Sequence, residues 1–169
     1  MGQILSFLRE ETIPASIERF IAREKFVVDI SNTAKVKIAW IGGNFQKHFL
    51  GKIEEAQCEV TLSIQKLEKA SVTGLIRTEL GWDGKVTTLR SLFRLLSLQR
   101  NGQEGALLTN WYANIFYVED EDGNPWAVYA YWYTGYGGWG VDARIVVYPD
   151  GWWDAGAQVV SRLPEGKGK

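Results

Sequence analysis

WAVYAYWYTGYGGWGVDARIVVY, residues 126–148, holds two stretches that alternate every second residue between unlike sets of side chains. In the first, Trp126, Val128, Ala130 and Trp132 share one parity, and Ala127, Tyr129, Tyr131 and Tyr133 share the other. A β-strand sends successive side chains to opposite faces, so the first set is fit to fill a core while the second aligns three tyrosines in a row. After the Gly-rich turn at 135–138 the alternation resumes, with Trp139, Val141, Ala143 and Ile145 against Gly140, Asp142, Arg144 and Val146. The expectation is a hairpin with one dry face and one chemically mixed face.

The aromatic side chains are concentrated around this hairpin. Every tyrosine, and every tryptophan except Trp40 and Trp82, lies between Trp111 and Trp153. Tyr and Trp carry large apolar area, a polar handle and few rotatable bonds, which suits recognition surfaces. They serve equally as cross-strand pairs inside a β-rich core. The Trp126, Trp132 and Trp139 parity fits the core role better, whereas Tyr129, Tyr131 and Tyr133 fit either role.

Composition narrows the functional classes. With 169 residues, 46% hydrophobic and 23% charged, the chain reads as one globular domain spanning 1–169. No apolar run approaches the length of a membrane span, and the N-terminus lacks the pattern of a secretory signal. Nothing in the sequence directs the chain out of the cytoplasm. MGQILS meets the short N-myristoylation pattern, but Ile4, Leu5, Phe7 and Leu8 more simply suggest a docking helix within 1–12. A single cysteine, Cys58, and a single histidine, His48, exclude a disulfide framework and a cysteine-rich metal site. Glu119, Asp120, Glu121, Asp122, Asp142, Asp150 and Asp154 face only Arg144 between Trp111 and Gln158. An acidic aromatic face is a poor platform for phosphate backbones, so nucleic acid is not an expected partner.

Elsewhere the expected elements are a helix over 12–24 with Ile17, Phe20 and Ile21 on its stripe, β segments over 25–30 and 34–42, and a strand over 58–64. Cys58 has the parity of a small buried hydrophobe on that strand. Leu89, Leu92, Phe93, Leu95 and Leu96 predict a helix over 87–100, N-capped by Thr87 or Thr88 and ended by the NGQEG turn at 101–105. From Ala106 to Leu163 the chain reads as a strand-rich region, NIFYVED, WAVYAYWY, WGVDARIVVY and QVVSRL, with a disordered tail at 164–169. The class is therefore α+β, mainly antiparallel strands with one or two helices.

Catalytic and metal-binding patterns are sparse. EDEDGN at 119–124 resembles part of a calcium loop but lacks its later ligands, and reads as a solvated turn with Asp122 and Gly123 in the bend. No nucleophile elbow accompanies His48, and GYGGWG has no lysine or following helix to cradle a phosphate. An enzyme is the less economical reading, and no metal or cofactor is expected.

LLTNWYANIFYVEDEDG, PWAVYAYW, GWGVDA and YPDGWWDAGAQVVSR, in that order, resemble the C-terminal region of target proteins diversified by diversity-generating retroelements. The similarity extends upstream through EKFVVDISNTAKVKIAWIG, ASVTGLIRTELG and NGQEGALLT, and so covers most of the chain. The resemblance implies a C-type-lectin-like fold whose C-terminal strands display a ligand-binding surface, rewritten by substitution at template adenines. The diversified sites it implies are Tyr129, Tyr131, Tyr133, Tyr136, Gly140, Asp142, Arg144, Tyr148, Trp153, Ala155 and Ala157. Val128, Trp132, Trp139, Val141, Ala143, Trp152, Gly156, Val159, Ser161 and Arg162 would be scaffold. An Asn codon altered at its two adenines yields Tyr, Asp, Gly, Arg or Ala, which every diversified position except Trp153 holds. Leu163 and Pro164 depart from the polar ending of the family pattern. The implied role is non-catalytic binding of a protein or glycan ligand. A fixed subunit interface and a carbohydrate-acting module using Asp142 with Asp150 or Asp154 are the competing readings.

Overall fold

A computed structural model of the chain describes residues 3–81, 86–146 and 151–163. In chain order the elements are β1 (Leu5–Ile13), β2 (Phe20–Ile21), α1 (Ala22–Lys25), β3 (Ile38–Ile41), α2 (Gly43–Phe49), β4 (Ile53–Glu54), β5 (Val60–Leu67), β6 (Ser71–Val72), α3 (Thr73–Leu80) and α4 (Leu89–Leu98). The C-terminal part supplies β7 (Asn114–Glu119), β8 (Pro125–Tyr133), β9 (Gly138–Ile145), β10 (Trp152–Trp153) and β11 (Gln158–Arg162). Seven strands form one sheet in the order β1-β5-β11-β7-β8-β9-β3, and β10 with β6 and β2 with β4 form two small ribbons. Pairing is antiparallel except between β11 and β7 and between β3 and β9. The class is mixed α+β and mostly antiparallel, with four helices among the described residues where one or two were expected.

The β8–β9 hairpin follows its sequence pattern on the first parity. Trp126, Val128, Ala130 and Trp132 of β8 meet Trp139, Val141 and Ala143 of β9 in the larger core, together with Phe116 and Val118 of β7. Helix α4 covers this face with Leu89, Leu92, Phe93, Leu95 and Leu96, and α2 adds Phe45 and Phe49. The Thr88 hydroxyl accepts the N–H of Ser91 and so caps α4, satisfying one of the amide groups its first turn leaves without a helical partner. Trp139 is held by its indole N–H, which donates to the Gln99 carbonyl at 3.0 Å. Ile145, expected on the dry face, is exposed at the end of β9.

The opposite face is not uniformly mixed. At one end Ala127, Ile115, Tyr117 and Val159 pack with Ile76 of α3, Trp153 and Leu67 in a second, smaller core. Toward the β8–β9 turn that cover stops, and the tyrosine row begins. A single strand parity thus passes from the enclosed Ala127, through Tyr129 at the edge of this core, to the half-buried Tyr131 and Tyr133.

The N-terminal third departs most from expectation. Residues 5–13 are not a docking helix but strand β1, paired along its length with β5 and tied at its start by Glu79, whose carboxylate accepts the N–H groups of Ile4 and Leu5. Pairing with β5 satisfies every second backbone group of this stretch, and that outweighs an apolar spacing equally compatible with a helix. The helix expected over 12–24 shrinks to the four residues of α1, because β1 runs through Ile13 and β2 takes Phe20 and Ile21. Residues 25–30 give no strand, only a bridge from Asp29 to Ile38. Cys58 precedes β5 and is exposed instead of buried. The tail at 164–169, expected to be disordered, lies outside the described residues.

Candidate functional site

Register creates the site. Across the hairpin Tyr129 pairs with Asp142, Tyr131 with Gly140 and Tyr133 with Gly138, so two glycines lie beside the tyrosine row on the same face. A Cβ at position 140 would stand 2.9 Å from the Tyr133 ring and 3.2 Å from that of Tyr131. Only a glycine lets both rings lie over the neighbouring strand without moving. The rings then contact one another: Tyr129 stacks on Tyr131 with centroids 5.9 Å apart, and Tyr131 meets Tyr133 edge-on at 4.7 Å. The Tyr131 and Tyr133 hydroxyls share a hydrogen bond of 2.6 Å. At the turn Tyr136, 67% exposed, rests edge-on against Tyr133 at 5.3 Å.

Arg144 closes the other end of the row. Its guanidinium lies 3.9 Å from the centre of the Trp153 ring and 5.4 Å from that of Tyr129, and it donates to the Trp152 carbonyl at 2.9 Å. Trp153 is only 3% exposed, because β10 pairs with β6 and the indole N–H donates to the Thr73 hydroxyl at 3.1 Å. Trp111 forms the facing wall, edge-on to Tyr133 at 4.9 Å. Its φ of 78° makes it the only non-glycine residue in the left-handed region among the described residues. Such a conformation costs a bulky side chain about 1–3 kcal/mol and collects at functional surfaces. Together Trp111, Tyr112, Tyr129, Tyr131, Arg144, Trp152, Trp153, Asp154 and Ala157 line an open cleft of about 300 Å³.

Burial raises the Tyr131 phenol well above its ordinary range, with the Tyr133 hydrogen bond acting in the same direction. Burial, with the Asp142 charge, also raises Tyr129, against the opposing pull of Arg144. The cleft therefore presents neutral phenols around one fixed cation, with Asp154 on its rim. That combination suits stacking, cation–π contact and hydrogen bonding to a neutral or weakly polar ligand.

The implied diversified positions differ in environment. Tyr129, Tyr131 and Arg144 line the cleft, Tyr133 and Tyr136 continue the ring row beyond it, Gly140 lies beneath the rings, and Ala155 is exposed in the turn before β11. Trp153 and Ala157 line the cleft while nearly wholly buried, at 3% and 1% exposure. Asp142 turns toward α2, where its carboxylate accepts the Phe45 N–H at 3.2 Å and fills the space a side chain at Gly42 would need. Tyr148 and Asp150 lie outside the described residues. Sequence reasoning missed Trp111 and Tyr112 as cleft residues and assigned Trp152 to the scaffold, although it is 59% exposed and lines the cleft; the Asn110 side chain accepting the Tyr112 N–H at 3.3 Å is the local turn signal that an Asn-Trp-Tyr run offers.

No family model matches the chain, and neither a curated protein nor a solved structure matches it.

The acidic run at 119–124 is structural. Asp120 alone is buried, 5% exposed, and accepts the N–H groups of Asp122 and Asn124 and the Trp126 indole at 2.8–3.0 Å, while Glu119, Glu121, Asp122, Gly123 and Asn124 are exposed, as expected of a solvated turn. Burial alone would raise its carboxyl, but these hydrogen bonds and the neighbouring His48 hold it below its ordinary value. His48 stacks on Trp126, whose side chain belongs to the opposite face from the tyrosine row. Among the described residues no group of three or more His, Cys, Asp or Glu side chains is placed to hold a metal, and no helix is long and apolar enough to cross a membrane.

Proposed function

We propose that the chain is a non-catalytic ligand-binding protein of C-type-lectin-like fold, whose C-terminal surface is diversified by a retroelement through adenine-directed substitution. One observation carries the reading: Val128, Trp132, Trp139, Val141 and Ala143 are buried in one core, while Tyr129, Tyr131 and Arg144, on the alternate parity, line one cleft and Tyr133 extends the ring row beside it. Core substitutions typically cost 2–5 kcal/mol and exposed ones about 0.5, so such a strand pair accepts many surfaces on one scaffold. Binding energy comes from the clustered rings, with Arg144 and Asp154 setting polarity at the edge, and neither metal nor cofactor takes part. Substitution at Trp153 or Ala157 reshapes the cleft wall from beneath, whereas Tyr136 and Ala155 change exposed surface outside its lining.

Sequencing the DNA around the gene tests this directly. The expected result is a near-copy of the segment encoding 127–162 beside a reverse transcriptase gene, differing only opposite adenines. An intact neighbourhood without either would overturn diversification. The second reading, a fixed subunit interface, draws on Trp111, Trp152 and Tyr136, which stand exposed around the cleft. It requires a stable oligomer that Trp152→Ala dissociates.

A further inference from the structure

A second cleft, of about 290 Å³, lies between the loop that follows β1 and one face of α4, and shares no residue with the aromatic cleft. Arg90, Phe93, Arg94 and Ser97 recur at helical spacing along that face. Arg19, Lys25 and Lys35 complete a cationic rim, with Glu18 the one carboxylate in the lining.

The charges there are poorly neutralised. Arg19 has a surface partner, Glu55, at 3.3 Å. Arg90 is nine-tenths buried, yet its guanidinium donates to the Ser16 hydroxyl at 3.0 Å and to the carbonyls of Glu18 and Glu55 at 2.6 and 3.0 Å, and it has no ion-pair partner among the described residues. The Glu54 carboxylate instead accepts the N–H groups of Leu89 and Arg90 and pairs with Lys52. Among the described residues, Lys25, Lys35 and Arg94 have no ion-pair partner. Carbonyl dipoles solvate a buried guanidinium without cancelling its charge, so the cleft keeps a positive potential that an anion would relieve. The floor is apolar: Phe20 and Phe93, 4% and 8% exposed, meet edge-on at 6.0 Å beneath Arg90 and Lys25, and Phe93, Lys25 and Lys35 also border an adjoining cleft of about 380 Å³ that Glu24 and Asp29 share.

We propose that this cleft binds a small phosphomonoester carrying a flat apolar body. Lys25, Lys35 and Arg94 approach from separate elements and so suit the several oxygens of a dianion better than a single carboxylate. The Phe20 and Phe93 rings take the body, and the hydroxyls of Ser16 and Ser97 offer further donors. The volume is at the lower end of small-molecule sites.

The probes are phenyl phosphate, inorganic phosphate and phenol, titrated into the full chain by NMR. Phenyl phosphate is expected to give saturable shifts at Phe93, Arg94 and Lys35, to bind more tightly than either other probe, and to weaken as salt rises. Lys35→Glu with Arg94→Glu, both at exposed positions, should weaken it about tenfold or more, since each reversal replaces an attraction with a repulsion. Tyr131→Ala should leave it unchanged, which separates this site from the aromatic cleft. Lys35→Glu alone repeats the test if the double variant has a lowered Tm. Shifts that do not saturate, equal affinity in the charge-reversed chain, or saturable binding of a single-stranded oligonucleotide without any of phenyl phosphate would overturn the proposal.

Discussion

At the scale of single residues, Asp120 and the phenols of the second face set the pH limits of the fold. Asp120 has a carboxyl held below its ordinary value of 3.8, so its contribution is present above that value and is lost as pH falls through the lowered one. Asp120→Asn is expected to cost about 1–3 kcal/mol in urea unfolding: the amide oxygen can still accept the Asp122 and Asn124 N–H groups, but an NH2 donor then faces the Trp126 indole N–H and the buried charge that strengthened these bonds is lost. Tyr117, Tyr129 and Tyr131 move the other way, chiefly through burial. A phenol raised in the folded state stabilises the protein below its unfolded value of 10 and ceases to do so as pH climbs through the folded value. Tyrosinate absorbance should therefore develop in two stages on alkaline titration, the late stage accompanying loss of structure; all phenols ionising together near pH 10 in the folded chain would contradict this. Gly42 offers a sharper test. A Cβ there overlaps the Asp142 carboxylate, so Gly42→Ala should cost about 1–3 kcal/mol alone and markedly less in an Asp142→Ala background. Position 42 is thus coupled to what occupies position 142, although nothing in the linear chain relates the two.

Elements carry the division between scaffold and display. Val128 and Tyr131 sit on one strand, but Val128 is enclosed in the larger core while Tyr131 borders the cleft. Val128→Ala is expected to lose about 2 kcal/mol, and Tyr131→Ala about 1 kcal/mol or less, while ligand binding should suffer in the reverse order. Equal destabilisation by the two changes would remove the case for a displayed tyrosine row. β8, β9 and α4 were legible because their side chains repeat with a period of two or 3.6, whereas β7 and β11, buried at nearly every residue, were legible as short apolar runs rich in β-branched and aromatic residues. β1 was not legible: it lies at a sheet edge, with Phe7 and Leu8 exposed and a register shift between Phe7 and Arg9, so no alternation marks it. α1 and α2 are too short to show a period. α2 is positioned instead from outside, by Asp142 at its first turn and by the Asn44 side chain donating to the Ala143 carbonyl at 3.0 Å.

For the whole molecule, the decisive feature is that the last strand lies inside the sheet. β11 separates β5 from β7, antiparallel to one and parallel to the other, and its Gln158 side chain donates to the Ala106 carbonyl at 3.0 Å. A chain ending before Gln158 should lose both its near-UV circular dichroism and its cooperative unfolding, since its absence leaves β5 and β7 with unpaired backbone in the middle of the sheet. A folded, cooperative truncation product would show that the two halves of the sheet stand independently. By itself the sequence determined that the C-terminal half is a run of strands, that one hairpin has a core parity of Trp, Val and Ala, and that three tyrosines share the other, because these are periodicities of the chain and need no partner. Only the tertiary structure decided where that second parity stops being core. The Trp153 indole anchored to Thr73 of α3, Arg144 held over the Trp153 ring, and Trp111 set against Tyr133 delimit the cleft, and each depends on contacts between residues apart in sequence that no local pattern records.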